Sequence, residues 1–204
     1  MNGYEAAKRT FDVAAAGCGL VVLAPLLLGI AAAITIGSPG PVFYRGRRIG
    51  RHGVPFRIFK FRTMVVDAEA QGTTTKPLDA RVTSLGWFLR RWKLDELPQL
   101  LNVVAGDMSL VGPRPEVEEH TAQYSEEERA ILSVPPGITD LASIRFRNLT
   151  EELGTEDPHA AYVNRIRAEK NALRLRYVRE RSFVGDLVIL LQTVGAVVLP
   201  GRPR

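Results

Sequence analysis

The chain has 204 residues, with 27 Lys or Arg against 22 Asp or Glu and a formal net charge of +5. This length is enough for one domain with a hydrophobic core, and the single cysteine, Cys18, excludes an intrachain disulfide. The basic residues cluster beside an apolar segment and near an acidic pair. That distribution suits anionic lipid and phosphate ligands better than nucleic acid.

The most apolar part of the chain lies near its N-terminus. After Asp12, no charged residue occurs until Arg45, and a run of about 25 apolar or small residues is long enough to cross a bilayer. A single transmembrane helix is therefore one interpretation. Pro25 favours another, because a proline inside a helix removes a backbone hydrogen bond and bends the helix.

Basic residues flank the apolar segment on both sides, with Lys8 and Arg9 before it and Arg45 after it. Because basic flanks favour the cytoplasmic side of a membrane, we expect both ends to lie there. We therefore predict a re-entrant helix–break–helix in residues 1–38. A cytoplasmic catalytic domain with interfacial helices is predicted in residues 39–204.

The remaining pattern predicts an α/β fold that is mostly helical, with a short β element. Ser125 and Glu128 have the spacing of a capping box, which predicts the start of a helix. Further predicted elements are extended segments at 42–44 and 56–61, a polar loop at 73–77, and helices at 84–93, 159–178 and 184–199.

The most informative motif is the acidic pair Asp95-Glu96, followed by Pro98 and, farther on, by Arg114 between two prolines. Adjacent carboxylates repel each other, so the pair favours a metal ion or cationic partners. Pro98 is best tolerated in the first turn of a helix, which places Asp95 near a helix N-terminus. Such an end favours anions. A nucleophilic carboxylate, a divalent ion and a phosphate are therefore expected to meet there.

This motif closely resembles the signature of the bacterial sugar transferases that load a polyprenyl phosphate with a sugar 1-phosphate, the monotopic phosphoglycosyl transferases. Other blocks resemble the same family in order along nearly the whole chain. These blocks are Lys8-Arg9-x-Phe11-Asp12, Gly40-Pro41-Val42-Phe43-Tyr44-Arg45, Phe59-Lys60-Phe61-Arg62-Thr63-Met64, Pro136-Gly137-Ile138-Thr139 and Tyr177-Val178-x-x-x-Ser182-x-x-x-Asp186.

The resemblance implies a two-step reaction at the cytoplasmic face of the bacterial inner membrane, among its lipids. A carboxylate attacks the β-phosphate of a UDP-sugar and releases UMP. A polyprenyl phosphate, expected to be undecaprenyl phosphate, then takes the sugar 1-phosphate and begins glycoconjugate assembly. Asp95 matches the nucleophile. Glu96 matches the partner that holds the metal or orients Asp95, and both acids are candidate ligands of Mg²⁺.

The resemblance also assigns cations to the substrates. The expected phosphate-binding residues are Arg114, Lys60, Arg62 and Arg90. Arg147 and Asn148 match a region that is expected to help bind the nucleotide. The chain departs from the family there.

The departure begins at Asp140, where the family often carries glycine, and Phe146 likewise replaces the glycine before Arg147. These changes affect the expected nucleotide and sugar preference rather than the chemistry.

Two other functions are kept as alternatives. A non-catalytic membrane-anchored scaffold of the same fold would not need Asp95. A basic nucleic-acid-binding membrane protein would bind DNA or RNA in a salt-dependent way without a metal requirement. The intact acidic pair and the Pro-Arg-Pro unit argue against both. The sequence leaves the sugar, the pathway and the oligomeric state open.

Overall fold

A computed structural model describes residues 3–68, 79–149 and 158–198 of the chain. The described residues are mostly helical, with short paired strands. The helices are α1 (Gly3–Gly37), α2 (Ser84–Arg91), α3 (Gln99–Ala105), α4 (Glu118–Thr121), α5 (Leu141–Arg145), α6 (Pro158–Ala161), α7 (Arg167–Glu180) and α8 (Phe183–Val198). The polar loop predicted at 73–77 lies outside the described residues.

The strands form three separate pairs. They are β1 (Phe43–Tyr44), β2 (Arg47–Ile49), β3 (Pro55–Arg57), β4 (Lys60–Phe61), β5 (Ser109–Val111) and β6 (Gly137–Thr139). β1 pairs with β4 and β2 with β3, both antiparallel, whereas β5 and β6 are parallel. The two parallel strands end beside each other, which brings the segments that follow them together.

Helix α1 is the one described helix that is long and apolar enough to cross a membrane. It nevertheless packs against the rest of the protein along its length. Ala16, near its start, is fully buried in the core cluster with Val103, and Ile30 and Ile34, near its end, pack with Phe61 and Leu89. One side of α1 therefore lies along the domain from one end to the other.

The opposite side of α1 is apolar and exposed. Val21, Val22, Leu28 and Ile36 are 70–87% exposed, so a large apolar strip is available to a membrane. Cys18 is also exposed.

Pro25 lies inside α1, and the helix continues through it. The predicted helix–break–helix therefore differs from the observed element, which is a single 35-residue helix. Proline fixes φ near the helical value, so its ring is compatible with a helix, but it removes one backbone hydrogen bond. The packing of α1 before and after Pro25 compensates for that lost hydrogen bond. Pro25 itself is on the exposed face.

The C-terminal helix α8 completes the core against α1. Ile189 of α8 is buried in the same cluster as Ala16. Lys8 of α1 forms an ion pair of 2.8 Å with Asp186 of α8, and the Tyr177 hydroxyl donates to the same carboxylate. The outer face of α8 exposes Val184, Val188, Leu191 and Val194, so this helix packs in the core on one side and presents an apolar face on the other.

Local predictions from turn chemistry are confirmed where the structure tests them. Ser125 and Glu128 form the reciprocal capping box, with Ser125 N–H donating to Glu128 Oε2 and Glu128 N–H donating to Ser125 Oγ. The segment that follows is a short 3₁₀ helix, Glu128–Ser133. The helix predicted at 159–178 is present as α6 and α7, joined by a π-helical turn at Tyr162–Ile166.

Candidate active site

The acidic pair lies in a short turn between α2 and α3. Asp95 and Glu96 belong to the 3₁₀ turn Leu94–Glu96, and Lys93 precedes that turn in the left-handed conformation, with φ of 55°. Helix α3 begins immediately after Pro98, which takes its N-cap position. Asp95 therefore lies one turn ahead of α3, and the anion-favouring N–H groups of that helix begin a few residues later than the sequence predicted.

Asp95 is buried and paired with a cation from a distant strand. Its side chain is 2% exposed, and Oδ2 lies 2.7 Å from Nζ of Lys60, on β4. The other carboxylate oxygen, Oδ1, is buried and has no hydrogen-bond partner among the described residues. Leaving a buried carboxylate oxygen unpaired costs about 1–3 kcal/mol, so a ligand that reaches this oxygen would be favoured.

Glu96 lies beside Asp95 but faces Arg114. The two side chains form a bidentate pair, with Nη2 to Oε1 at 2.5 Å and Nη1 to Oε2 at 2.9 Å. Lys60 Nζ is 3.5 Å from Glu96 Oε1. Two carboxylates and two cations thus form one cluster, in which Glu96 contacts both cations and Asp95 pairs with Lys60.

The charges of this cluster change the acidity of Glu96. Burial alone raises the pKa of its carboxyl, but Arg114 and Lys60 outweigh burial and hold that pKa well below its ordinary value of 4.5. Glu96 therefore stays ionised throughout the neutral range and remains a hydrogen-bond acceptor for Arg114.

This low pKa predicts a pH dependence of stability. Because the folded-state pKa lies below the unfolded value, the contribution of Glu96 is present above pH 4.5 and is lost as the pH falls below it. In detergent, Glu96→Gln should lower the thermal midpoint of unfolding at pH 7. The difference in thermal midpoint between this variant and wild type should shrink as the pH falls from 4.5 to 3. A difference that stays constant with pH would contradict this assignment.

The backbone around Arg114 is fixed by the neighbouring strand end. Its N–H donates to Oδ2 of Asp140 at 3.0 Å. Gly112 and Gly137 pack backbone against backbone, since a Cβ on Gly137 would lie 2.1 Å from the Gly112 nitrogen. Only glycine allows this approach, so the parallel pair β5–β6 places Arg114 beside the acidic turn.

Of the other predicted phosphate-binding cations, Arg90 lies near the acidic pair. Its Nε donates to Thr63 Oγ1 at 2.8 Å. Burial lowers the pKa of Arg90, and the negative charge of Asp95 opposes that effect. The contact with Thr63 holds the Arg90 guanidinium in place, and its phosphate-binding role stays a prediction.

Arg62 departs from the predicted role. Its side chain is buried, and the guanidinium donates to the carbonyl of Pro39 at 2.6 Å and to the carbonyl and hydroxyl of Ser38 at 2.8 Å. These contacts tie the end of α1 to β4. Because both terminal nitrogens are already used, this geometry favours a structural role over a phosphate contact.

Arg147 and Asn148 are exposed in the turn that follows α5. No contact joins either side chain to Asp95, Glu96 or Arg114 within the described ranges. Their nucleotide-binding role therefore stays a prediction.

Lys93, Thr63 and Asp140 also contribute to the site, and sequence reasoning gave them no role there. The Lys93 side chain is exposed, but desolvation by the surrounding protein atoms lowers its pKa, as do the positive charges of Arg114 and Lys60, while Glu96 and Asp95 raise it. Lys93 comes two residues before Asp95 in the sequence, and this position could have identified it as a site residue. Nothing local in the sequence pointed to the contacts of Thr63 or Asp140.

The donor set limits how a metal ion would bind. Outside the undescribed segments, no group of three or more His, Cys, Asp or Glu side chains is arranged to hold a metal. Mg²⁺ commonly takes one or two carboxylates and completes its shell with water and substrate phosphates. The unpaired Oδ1 of Asp95 fits such an ion. Both oxygens of Glu96 are already occupied by Arg114 and Lys60, so Asp95 is the better candidate ligand.

The chain is similar to a well-defined set of proteins. A family model described as bacterial sugar transferase matches residues 3–200. The "Exopolysaccharide production protein ExoY" of Rhizobium meliloti (strain 1021) is 39% identical over 209 residues, which covers 95% of the chain and 86% of that protein. A "UDP-glucose:undecaprenyl-phosphate glucose-1-phosphate transferase" of Caulobacter vibrioides is 40% identical over 196 residues, covering 94% of the chain and 69% of that protein.

A protein of Escherichia coli (strain K12) that carries the same transferase name is 38% identical over 192 residues. The match covers 92% of the chain but only 39% of that protein.

Proposed function

This chain belongs to the bacterial sugar transferase family and is a phosphoglycosyl transferase, and we propose that it moves a sugar 1-phosphate from a UDP-sugar to undecaprenyl phosphate, releasing UMP. The names of its relatives support this donor and acceptor, and the exopolysaccharide relatives support a role at the start of polysaccharide assembly. The observation that carries the chemistry is the buried Asp95, paired with Lys60 through one oxygen and unpaired at the other.

In the proposed first step, one carboxylate oxygen of Asp95 attacks the β-phosphorus of the UDP-sugar, which leaves the other oxygen for a cation. A carboxylate–phosphorus bond forms, and the bond from that phosphorus to the oxygen that bridges the two phosphates breaks. UMP leaves with the bridging oxygen. The product is an acyl phosphate that carries the sugar, a mixed anhydride reactive enough for a second transfer.

In the second step, a phosphate oxygen of the polyprenyl phosphate attacks the same phosphorus. The acyl phosphate bond breaks, and the electron pair returns to the carboxylate of Asp95. The products are a polyprenyl diphosphate sugar and the free enzyme, so that one nucleophile serves both transfers.

The other side chains of the cluster neutralise and orient charge. Lys60, paired with Asp95, and Arg114, paired with Glu96, supply two positive charges at the acidic pair, where two polyanionic substrates must come together. Glu96 holds Arg114 as a bidentate fork and so fixes the direction in which its guanidinium meets phosphate. Bound Mg²⁺ would add Lewis-acid stabilisation of the phosphate oxygens, with Asp95 as its protein ligand.

The two alternative functions predict different behaviour. A non-catalytic scaffold would have no use for a buried, ion-paired nucleophile, which costs free energy unless its partners are in place. A nucleic-acid binder would have no use for two cations, Lys60 and Arg114, that are held against an acidic pair. These contacts and the named relatives favour the transferase.

The test of the function is a donor screen. Purified protein, undecaprenyl phosphate and Mg²⁺ are combined with a panel of UDP-sugars, and UMP release is measured. At least one sugar should give release that depends on the lipid acceptor. A preparation of a named relative that is active in the same assay serves as the positive control. If this protein releases no UMP from any donor while that control is active, the proposed reaction is refuted.

The protein is membrane-associated, and we place the catalytic domain on the cytoplasmic side with both ends of α1 facing that side. The packing of α1 supports this placement. From Asp12 to Ile34, α1 runs about 33 Å, at 1.5 Å per residue, close to the thickness of the hydrocarbon core. Both of these residues are buried against one domain, so a spanning helix would require that domain to contact both membrane surfaces.

This topology can be tested by cysteine labelling. Gly3→Cys and Gly37→Cys are suitable because a Cβ at either position meets no atom within 4 Å, and Cys18→Ser removes the native thiol. An impermeant maleimide should label both positions in inverted vesicles and neither in intact spheroplasts. Labelling of either position from the outside would refute the placement. Pro25→Ala is compared with the wild-type sequence in the same assay. Its labelling pattern should be the same, because packing at both ends of α1 holds the helix in place.

A further inference from the structure

Arg114 is supported from behind by a buried ion network. Arg174, on α7, is 1% exposed, and its Nη2 donates to Oε1 of Glu116 at 2.7 Å. Its Nε lies 3.6 Å from Oδ2 of Asp140. One guanidinium thus pairs with two carboxylates, both of which lie next to Arg114 in space or in sequence.

Asp140 joins three parts of this network. It is fully buried, and its Oδ1 accepts the N–H of Ser143 at 2.6 Å, which caps α5. Its Oδ2 accepts the backbone N–H of Arg114 at 3.0 Å and faces Arg174. A buried carboxylate needs such partners, so Asp140 and the backbone of Arg114 hold each other in place.

Glu116 brackets Arg114 on the other side. It follows Arg114 by two residues, and its carboxylate also meets Lys170 at 3.7 Å and His120 at 3.2 Å. The segment from Pro113 to Glu116 is therefore anchored at its amide by Asp140 and at its end by Arg174. The arginine side chain leaves from a fixed backbone, which reduces the entropy lost when it grips phosphate.

We propose that Asp140 and Arg174 are positioning residues that hold Arg114 in register with the acidic pair for the diphosphate of the donor. This inference rests on the proposed function and extends it to residues that touch neither substrate. The carboxylate of Asp140 fixes Arg114 through its main chain, since Oδ2 accepts the Arg114 N–H.

A double-mutant cycle tests the proposal. Asp140→Ser keeps a good helix cap for α5 but is too short and uncharged to hold Arg114 and Arg174. It should lower kcat/KM for the UDP-sugar about 10- to 100-fold, since a small misplacement of a binding group has effects of that size. In an Arg114→Gln background, the same change should cost less than about twofold, because a residue that acts through Arg114 has nothing left to position.

Asp186→Asn is the matched control. Asp186 is another buried carboxylate. It pairs with Lys8 and Tyr177, and no described hydrogen bond or ion pair joins it to Arg114, Asp140 or Arg174. Any loss that it causes should multiply with that of Arg114→Gln. Arg174→Lys keeps the charge and should retain more activity than Arg174→Met. Thermal midpoints of unfolding identify variants that lose activity only because they are unstable. If Asp140→Ser is one of these, Asp140→Asn replaces it in the cycle.

The outcomes are distinguishable from failure of the proposed function. If wild type releases UMP and Asp140→Ser is unchanged, or if Asp140→Ser lowers kcat/KM equally in both backgrounds, the positioning role is refuted. If wild type releases no UMP with any donor, the proposed function fails instead. In that case, the Kd for UDP of the same four proteins is measured by calorimetry. Non-additive effects of the two substitutions on the binding free energy support the positioning role, and additive effects refute it.

Discussion

Asp95→Asn is expected to abolish UMP release, with a loss of at least about 10⁴-fold, because an amide has no anionic oxygen to attack phosphorus. The substitution is nearly isosteric and removes only one charge, so the fold should be retained. With radiolabelled donor and no lipid acceptor, wild type should trap a sugar phosphate on Asp95. The measurements are UMP release and peptide mapping of the labelled protein.

Asp107→Asn is the matched control for this variant. Asp107 lies between Asp95 and Arg114 in the chain, but it is exposed and accepts a hydrogen bond from Asn102 at 3.1 Å. Its substitution should change turnover less than about threefold, as is usual for an exposed group with no substrate contact. Substantial turnover by Asp95→Asn, or a label on another residue, would refute the covalent role of Asp95.

Removal of divalent ions should have the second-largest effect. Chelator should lower UMP release by at least about 10²-fold, and added Mg²⁺ should restore it, because several kcal/mol of phosphate charge stabilisation is lost with the ion. A readout independent of turnover is the electron paramagnetic resonance signal of Mn²⁺ bound in the presence of UDP. That signal should weaken in Asp95→Asn, which removes the carboxylate proposed as ligand.

Full activity in chelator would contradict this prediction. It would mean that Lys60, Arg114 and their neighbours neutralise the phosphates without a metal. The cluster makes this a real alternative, since two cations already lie within 2.7 Å of the acidic pair. The balance depends on whether Lys60 stays on Asp95 or moves to substrate phosphate when the donor binds.

Several features of the protein could be predicted from the sequence because their cause is local. The apolar run predicted a helical segment of membrane length, although with a break at Pro25. The Ser125–Glu128 spacing predicted a capping box, and the acidic pair identified the candidate nucleophile. Each rests on the periodicity of side chains or on hydrogen bonds within one turn. The motif blocks also identified the family, since their order along nearly the whole chain is specific.

Other features depended on contacts between distant segments. Lys60 and Asp95 are 35 residues apart, and Arg114 and Glu96 are 18 apart, so only the fold decides that each cation meets its carboxylate. The same holds for Arg62, whose motif predicted phosphate binding but whose buried guanidinium holds the end of α1. A motif gives the residue type, whereas the direction of a long side chain is set by its neighbours.

The apolar segment shows most clearly which features follow from local sequence and which depend on tertiary packing. Its composition determined that a membrane-length helix forms, and Pro25 with the basic flanks raised the question of a break. Packing decided the observed element, because a helix buried along one side against the core regains more free energy than one missing hydrogen bond removes. The sequence by itself determined the enzyme family of this protein and the apolar composition of its membrane-length helix. Tertiary structure decided which charges meet at Asp95 and how Asp140 holds Arg114, because burial makes each ion pair depend on segments that are far apart in the chain.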